Sequence, residues 1–179
     1  MSWSDLFTAR VAGLIEGTYP ASPETGRTIA AGTFKPTLMH GQLEDPAFPA
    51  VHFQRGYRIA LGQVLPVQPF NARSGIARIR QRFTVSVGYL FGRDAPRAGA
   101  GVGTATRAAE DTGAGDLLLL INALSYPAHW GTLNASPLLG LVGISFVSSD
   151  TRTVVERSRL VRDSIFDAEL SVVPGGVYP

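Results

Sequence analysis

From Ile76 to Phe91 the chain alternates without a break. Ala77, Ile79, Gln81, Phe83, Val85, Val87, Tyr89 and Phe91 hold the odd positions, and Arg78, Arg80, Arg82, Thr84 and Ser86 are among the even ones. Successive side chains of a strand point to opposite faces, so this period of two predicts one face in a core and one face rich in arginine. At about 3.3 Å per residue the segment reaches roughly 50 Å, longer than an ordinary strand, and predicts a ribbon or hairpin that protrudes from the body.

The flanking segments predict the rest of an α+β domain. Leu6, Phe7, Val11, Leu14 and Ile15 fall at helical spacing, so Ser4–Gly17 reads as an amphipathic helix with Ser4 as N-cap. From 18 to 50, repeated proline and glycine predict a long irregular loop. Val51–Leu65 reads as a hairpin turning at Arg55-Gly56. A glycine-rich link, 92–103, leads to a helix over Thr104–Tyr126 that Gly113 and Gly115 weaken and threaten to split. Leu138–Val147 reads as a strand covered on both faces, Ser148–Asp150 as a turn, and Thr151–Leu160 as the return strand. The last strand, Asp163–Val173, puts Ser164, Phe166, Ala168, Leu170 and Val172 on one face. Residues 174–179 read as a flexible tail. The expected architecture is one domain over 1–179, an antiparallel-rich sheet with two helices packed on one side.

Chemistry is sparse. With no cysteine, the 179 residues exclude disulfides, thiolate metal sites and cysteine nucleophiles. Gly99-Ala100-Gly101-Val102-Gly103 lacks the third glycine and tight turn of a dinucleotide loop. Gly143-Ile144-Ser145-Phe146-Val147 lacks the closing glycine of a nucleophile elbow. His40, His52 and His129 share no ligand spacing, and the adjacent pairs Glu44-Asp45 and Glu110-Asp111 point apart on regular structure. These observations predict no catalytic residue, cofactor or metal, and no enzyme. Leu117–Ser149 carries no charge, but Asn122, Pro127, His129, Asn134 and Pro137 interrupt it, so no membrane span is expected. Asp5, Arg10 and Glu16 break the N-terminal apolar segment, which does not read as a signal peptide.

Charge is informative by placement. The total is +2, yet Val51–Arg107 holds nine arginines and one acid, whereas the chain from Asp163 onward holds three acids and no base. The stripe Arg78, Arg80, Arg82 has three readings: a solvated sheet face, a surface matched to the acidic strand (Asp163, Asp167, Glu169) of a neighbouring copy, or a phosphate contact. The absence of aromatics on the stripe's own face disfavours the last.

The order helix, hairpin, long strand Arg80-Gln81-Arg82-Phe83-Thr84-Val85-Ser86-Val87, leucine-rich helix and acidic final strand resembles the tail terminator proteins of long-tailed bacteriophages. The run Leu117-Leu118-Leu119-Leu120-Ile121-Asn122-Ala123-Leu124, followed by Pro127 and Trp130, is similar to the helix and exit loop of that group. The resemblance covers roughly Ser4–Val173 and is organisational. It implies a structural virion protein forming a hexameric ring in the head-proximal neck of the tail, assembled in the host cytoplasm. One ring face caps the tail tube protein and stops polymerisation; the other meets a head–tail connector. DNA passes through the lumen without sequence-specific binding. On that basis Arg55, Arg58, Arg78, Arg80 and Arg82 are expected at subunit or tube contacts, with Asp163, Asp167 and Glu169 as their partners or as a lumen lining. Another neck or connector protein shares these features; a small ligand-binding domain or hydrolase is the alternative of a different class.

Overall fold

In the computed structural model, which describes residues 2–17, 29–36, 42–67, 76–91, 102–126, 139–155 and 158–173, the alternating segment is the middle strand of a five-stranded sheet. The elements are α1 (Trp3–Ile15), β1 (Lys35–Pro36), α2 (Ala50–Phe53), β2 (Gly56–Pro66), β3 (Ala77–Leu90), α3 (Val102–Ser125), β4 (Leu139–Val155) and β5 (Arg159–Val172). The strand order is β1-β2-β3-β5-β4. β2, β3, β5 and β4 pair antiparallel, and the two-residue β1 runs parallel to the start of β2. The α+β class read from the sequence is the class observed.

The period of two in β3 and β5 sorts the sheet into two faces. Phe83, Val85, Val87 and Tyr89 join Phe166, Ala168, Leu170 and Val172 in the main core, closed by Phe7, Val11, Leu14 and Ile15 of α1 and by Leu120, Ala123 and Leu124 of α3. Both long helices therefore cover the same face. Gln81 also falls on this face and is 1% exposed. Its amide donates to the Gly62 carbonyl, where β2 bulges between Leu61 and Val64, so a polar group in the alternation satisfies an irregular edge.

Several boundaries differ from the sequence reading. The helix N-cap is Ser2, not Ser4: Ser2 Oγ accepts from the Asp5 amide, and Asp5 Oδ2 accepts from the Ser2 amide. This reciprocal capping box satisfies two otherwise orphaned donors at once. Val51 and Phe53 belong to the single helical turn α2, so the expected 51–65 hairpin is instead a turn at Arg55 leading into β2. Arg55 holds the left-handed conformation (φ 56°) that reverses the chain there. β3 does not stand clear of the body, because it pairs with β5 from Ala77 to Leu90. α3 is unbroken: Gly113 permits close approach, since a Cβ there would sit 3.0 Å from Arg162 Nε and 3.4 Å from the Tyr89 ring. β4 runs straight through the expected Ser148–Asp150 turn, and as an edge strand it leaves Val142, Phe146 and Val147 exposed. Residues 18–28 and 37–41 of the long loop, most of the 92–103 link, the exit loop with Pro127 and Trp130, and the tail 174–179 lie outside the described residues.

On the opposite face, α2 and the preceding turn form a strap over one end of the sheet. Leu43 and Phe53 bury against Leu90 and Val161. Gly88 makes this possible, because a Cβ there would lie 2.8 Å from the Phe53 ring and carbonyl oxygen. Arg159, 5% exposed, stacks on Phe53 at 4.8 Å and donates to the carbonyls of Asp45 (2.7 Å), Pro46 (3.3 Å) and Phe48 (2.6 Å). Arg159→Ala orphans three carbonyls and should cost about 2 kcal/mol, read as a lower urea midpoint with faster amide exchange over 42–53.

Candidate functional site

The arginine stripe and the acidic strand meet on the face not covered by α1 and α3. Register sets Arg82 opposite Asp167, Arg80 opposite Glu169 and Ser86 opposite Asp163 on the adjacent strands β3 and β5. Arg82 grips Asp167 with two hydrogen bonds of 2.8 and 3.0 Å. Arg78 lies 3.7 Å from Glu169. Asp163 accepts from Ser86 and from Arg152 of β4, and Arg152 extends the network to Glu44 in the strap at 2.7 Å. Arg58 of β2 lies 3.9 Å from the same Glu44. Of the readings open for the stripe, the structure shows an acidic partner within the same chain: the two strands are adjacent, and cross-strand opposite charges pair directly.

Electrostatics follow the geometry. The Arg82 hydrogen bond holds the Asp167 carboxyl below its usual range, against the opposing effect of burial, with the Arg80 charge adding to the lowering. Burial pushes Glu44 up, but the hydrogen bond from Arg152 and the charges of Arg58 and Arg152 outweigh it, and its pKa is lowered. A carboxylate depressed in the fold contributes stability above its unfolded value and loses it as pH falls through the folded one. Stability should therefore decline on acidification below about pH 4, and Asp167→Asn should flatten that decline. The pair is partly exposed, so the loss should be about 0.5–1 kcal/mol, measured as urea midpoints between pH 6 and pH 2.5.

Arg80 alone in the stripe makes no ion pair among the described residues. It borders a groove of about 400 Å³ on the same face, with Val142, Gly143, Ile144, Ser145, Asp167 and Glu169. The groove lies where β4 bulges between Leu141 and Gly143. Val142 brings an apolar wall to a charged floor, and two carboxylates near Arg80 disfavour an anionic ligand there. No group of three or more histidine, aspartate or glutamate side chains is placed for a metal among the described residues. No described helix is long and apolar enough to cross a membrane.

Arg55, expected with the stripe at subunit or tube contacts, makes an intrachain pair. It clamps Asp116 of α3 with two 2.9 Å hydrogen bonds, and Asp116 is 1% exposed. The Tyr89 hydroxyl lies close enough for burial first, and the Asp116 carboxylate second, to raise its pKa far above the usual phenol range. The buried Arg162 Nε beside this cluster makes no hydrogen bond. Arg55 thus ties the strap turn to α3. Asp116, Arg152, Glu44 and Arg159 were missed from the sequence. Asp116 had a readable signal, because Ala109, Gly113, Asp116, Leu120 and Ala123 share one helical face, and a lone acid there needs a buried partner.

No protein-family model matches the chain, and no curated protein matches it.

Proposed function

We propose that the protein is a structural subunit of the tail terminator type, a ring that caps the head-proximal end of a phage tail tube, halts its polymerisation and joins it to the head connector. The observation that carries this reading is the closure of the arginine–carboxylate ladder within one chain. Arg78 and Arg82 of the stripe and Arg152 of β4 pair with carboxylates of the same chain, which leaves less of their charge free to grip phosphate. The five-stranded sheet carries both long helices on one face and exposes apolar side chains at both margins, Leu61, Val64 and Leu65 on β2 and Val142, Phe146 and Val147 on β4. Such a surface suits protein assembly, in which matched patches rather than a reaction perform the function. Helix α1, the long strand β3, the leucine-rich helix α3 and the acidic final strand β5 follow one another in the order the resemblance uses, with α2 and β2 in place of its hairpin.

Added to polymerising tail-tube subunits of its own phage, the protein should arrest growth and sit at one tube end, seen by negative-stain electron microscopy. Unchanged elongation with no end-bound density contradicts the reading.

A further inference from the structure

Across β3, β5 and β4 the register sets the charged face in rows. Arg82, Asp167 and Ser145 form one row, and Arg80, Glu169 and Gly143 the next. Farther along β5, Asp163 is closed from both sides, because Ser86 of β3 and Arg152 of β4 each donate to it. Among the described residues, Asp167 and Glu169 take bases from β3 alone, Arg82 at 2.8 Å and Arg78 at 3.7 Å. On their β4 side the rows end in a hydroxyl and a glycine, and there the groove of about 400 Å³ opens.

Glu169 pairs with Arg78 and not with Arg80, which faces it in register. Arg80 therefore borders the groove with no ion pair among the described residues. After the Arg82 hydrogen bond, and against burial, the Arg80 charge also lowers the Asp167 carboxyl, so both signs of charge act within one small space. A ligand that is only an anion meets Asp167 and Glu169 there, and one that is only a cation meets Arg80. A ligand with both charges a few ångströms apart finds an opposite charge at each end. Val142, 38% exposed, adds an apolar wall.

We propose that this groove binds a zwitterion of the α-amino-acid class with an apolar side chain: the carboxylate on Arg80, the ammonium against Asp167 and Glu169, the side chain on Val142. A guanidinium suits the carboxylate because two of its N–H groups donate in parallel. The ammonium takes at Asp167 and Glu169 the β4-side place that Arg152 fills at Asp163. Arg80 is exposed, so solvent screens these contacts and affinity is weak, with Kd about 1–10 mM. The site needs neither a neighbouring copy nor a tail tube, and it stands or falls apart from the ring reading.

The test is titration of the isotope-labelled full-length chain with L-leucine near neutral pH, followed by amide shifts in NMR. Isocaproate, which lacks the ammonium, and isoamylamine, which lacks the carboxylate, are the single-charge probes. Leucine should give saturable shifts over 142–145 and 167–169, and each single-charge probe should bind about tenfold more weakly. Arg80→Gln should weaken leucine binding about tenfold and leave isoamylamine binding no weaker. Isocaproate equal to leucine makes the groove a simple anion site, isoamylamine equal to leucine makes it a cation site, and either result overturns the proposal. No saturable shift at these positions by about 50 mM leucine overturns it as well. If the Arg80 variant fails to fold, the three probes on the unmodified chain decide alone.

Discussion

Replacing Phe166 with alanine should destabilise the fold by about 4 kcal/mol, the largest effect expected of any single substitution at a described position. Phe166 is fully buried and occupies the centre of an aromatic column. Its ring stacks on Phe83 at 5.4 Å with 19° between planes, and meets Phe146 edge-on at 5.7 Å. Phe83 in turn meets Phe7 of α1 at 5.4 Å and 82°. The column thus joins β4, β5, β3 and α1. Removing its middle ring leaves a cavity between elements that cannot collapse independently, so the transfer and cavity costs add. Domains of this size are stable by only about 5–15 kcal/mol, and a loss of 4 should move the urea midpoint strongly. Phe146→Ala is the internal control. With 37% of its surface exposed, it should cost less than half as much. Equal midpoints for the two variants would show that the column is not the centre of the core.

Asp116→Ala is the second large effect, about 3 kcal/mol. Removing one partner of a buried pair leaves the other without its charge, whereas removing both together is far milder. The Arg55 side chain is 37% exposed and can turn to water, which places the cost at the lower end for such pairs. Tyr89 and the Arg162 Nε have no such escape. A specific readout separates this from general loosening: with the carboxylate gone, the Tyr89 phenol should titrate closer to its ordinary value, although burial still holds it high. The double substitution Asp116→Ala with Arg55→Ala should be less destabilising than the two single costs added. Additive costs would show that the clamp contributes no coupling.

Local pattern made some features readable and non-local pairing concealed others. The two-residue period of Ile76–Phe91 identified β3 and its faces, and the same period placed Phe166, Ala168 and Leu170 in the core, because alternation is a property of each strand alone. Strand order is not such a property. Nothing in the composition of 76–91 or 163–173 states that the two lie side by side, so pairing of the arginine stripe with the acidic strand inside one chain was not among the readings of the sequence. The Ser148–Asp150 turn failed for a related reason: the polar residues sit on an edge strand, where solvent satisfies them without a reversal. Gly113 looked like a weak point in a helix, and its cost is offset by the contact it permits with Tyr89 and Arg162. Arg55 read as a subunit or tube contact, and no local pattern singled out Arg159. Only the folded chain shows one clamping a buried carboxylate and the other stapling a strap through backbone carbonyls.

For the candidate site, the sequence located the residues of the charged face but not their role. Arg78, Arg82, Asp163, Asp167 and Glu169 lie on that face as the period required, and there they pair across adjacent strands of the same chain. The exposed apolar margins, on which self-assembly is proposed to depend, became visible only when strand order showed which strands stand at the edges.

Native mass spectrometry of the purified full-length chain tests the central claim most directly. A closed ring of six gives a single dominant species at six times the 19.0 kDa subunit mass, persisting on dilution. A monomer at every concentration, or an open series of masses with no preferred number, contradicts it.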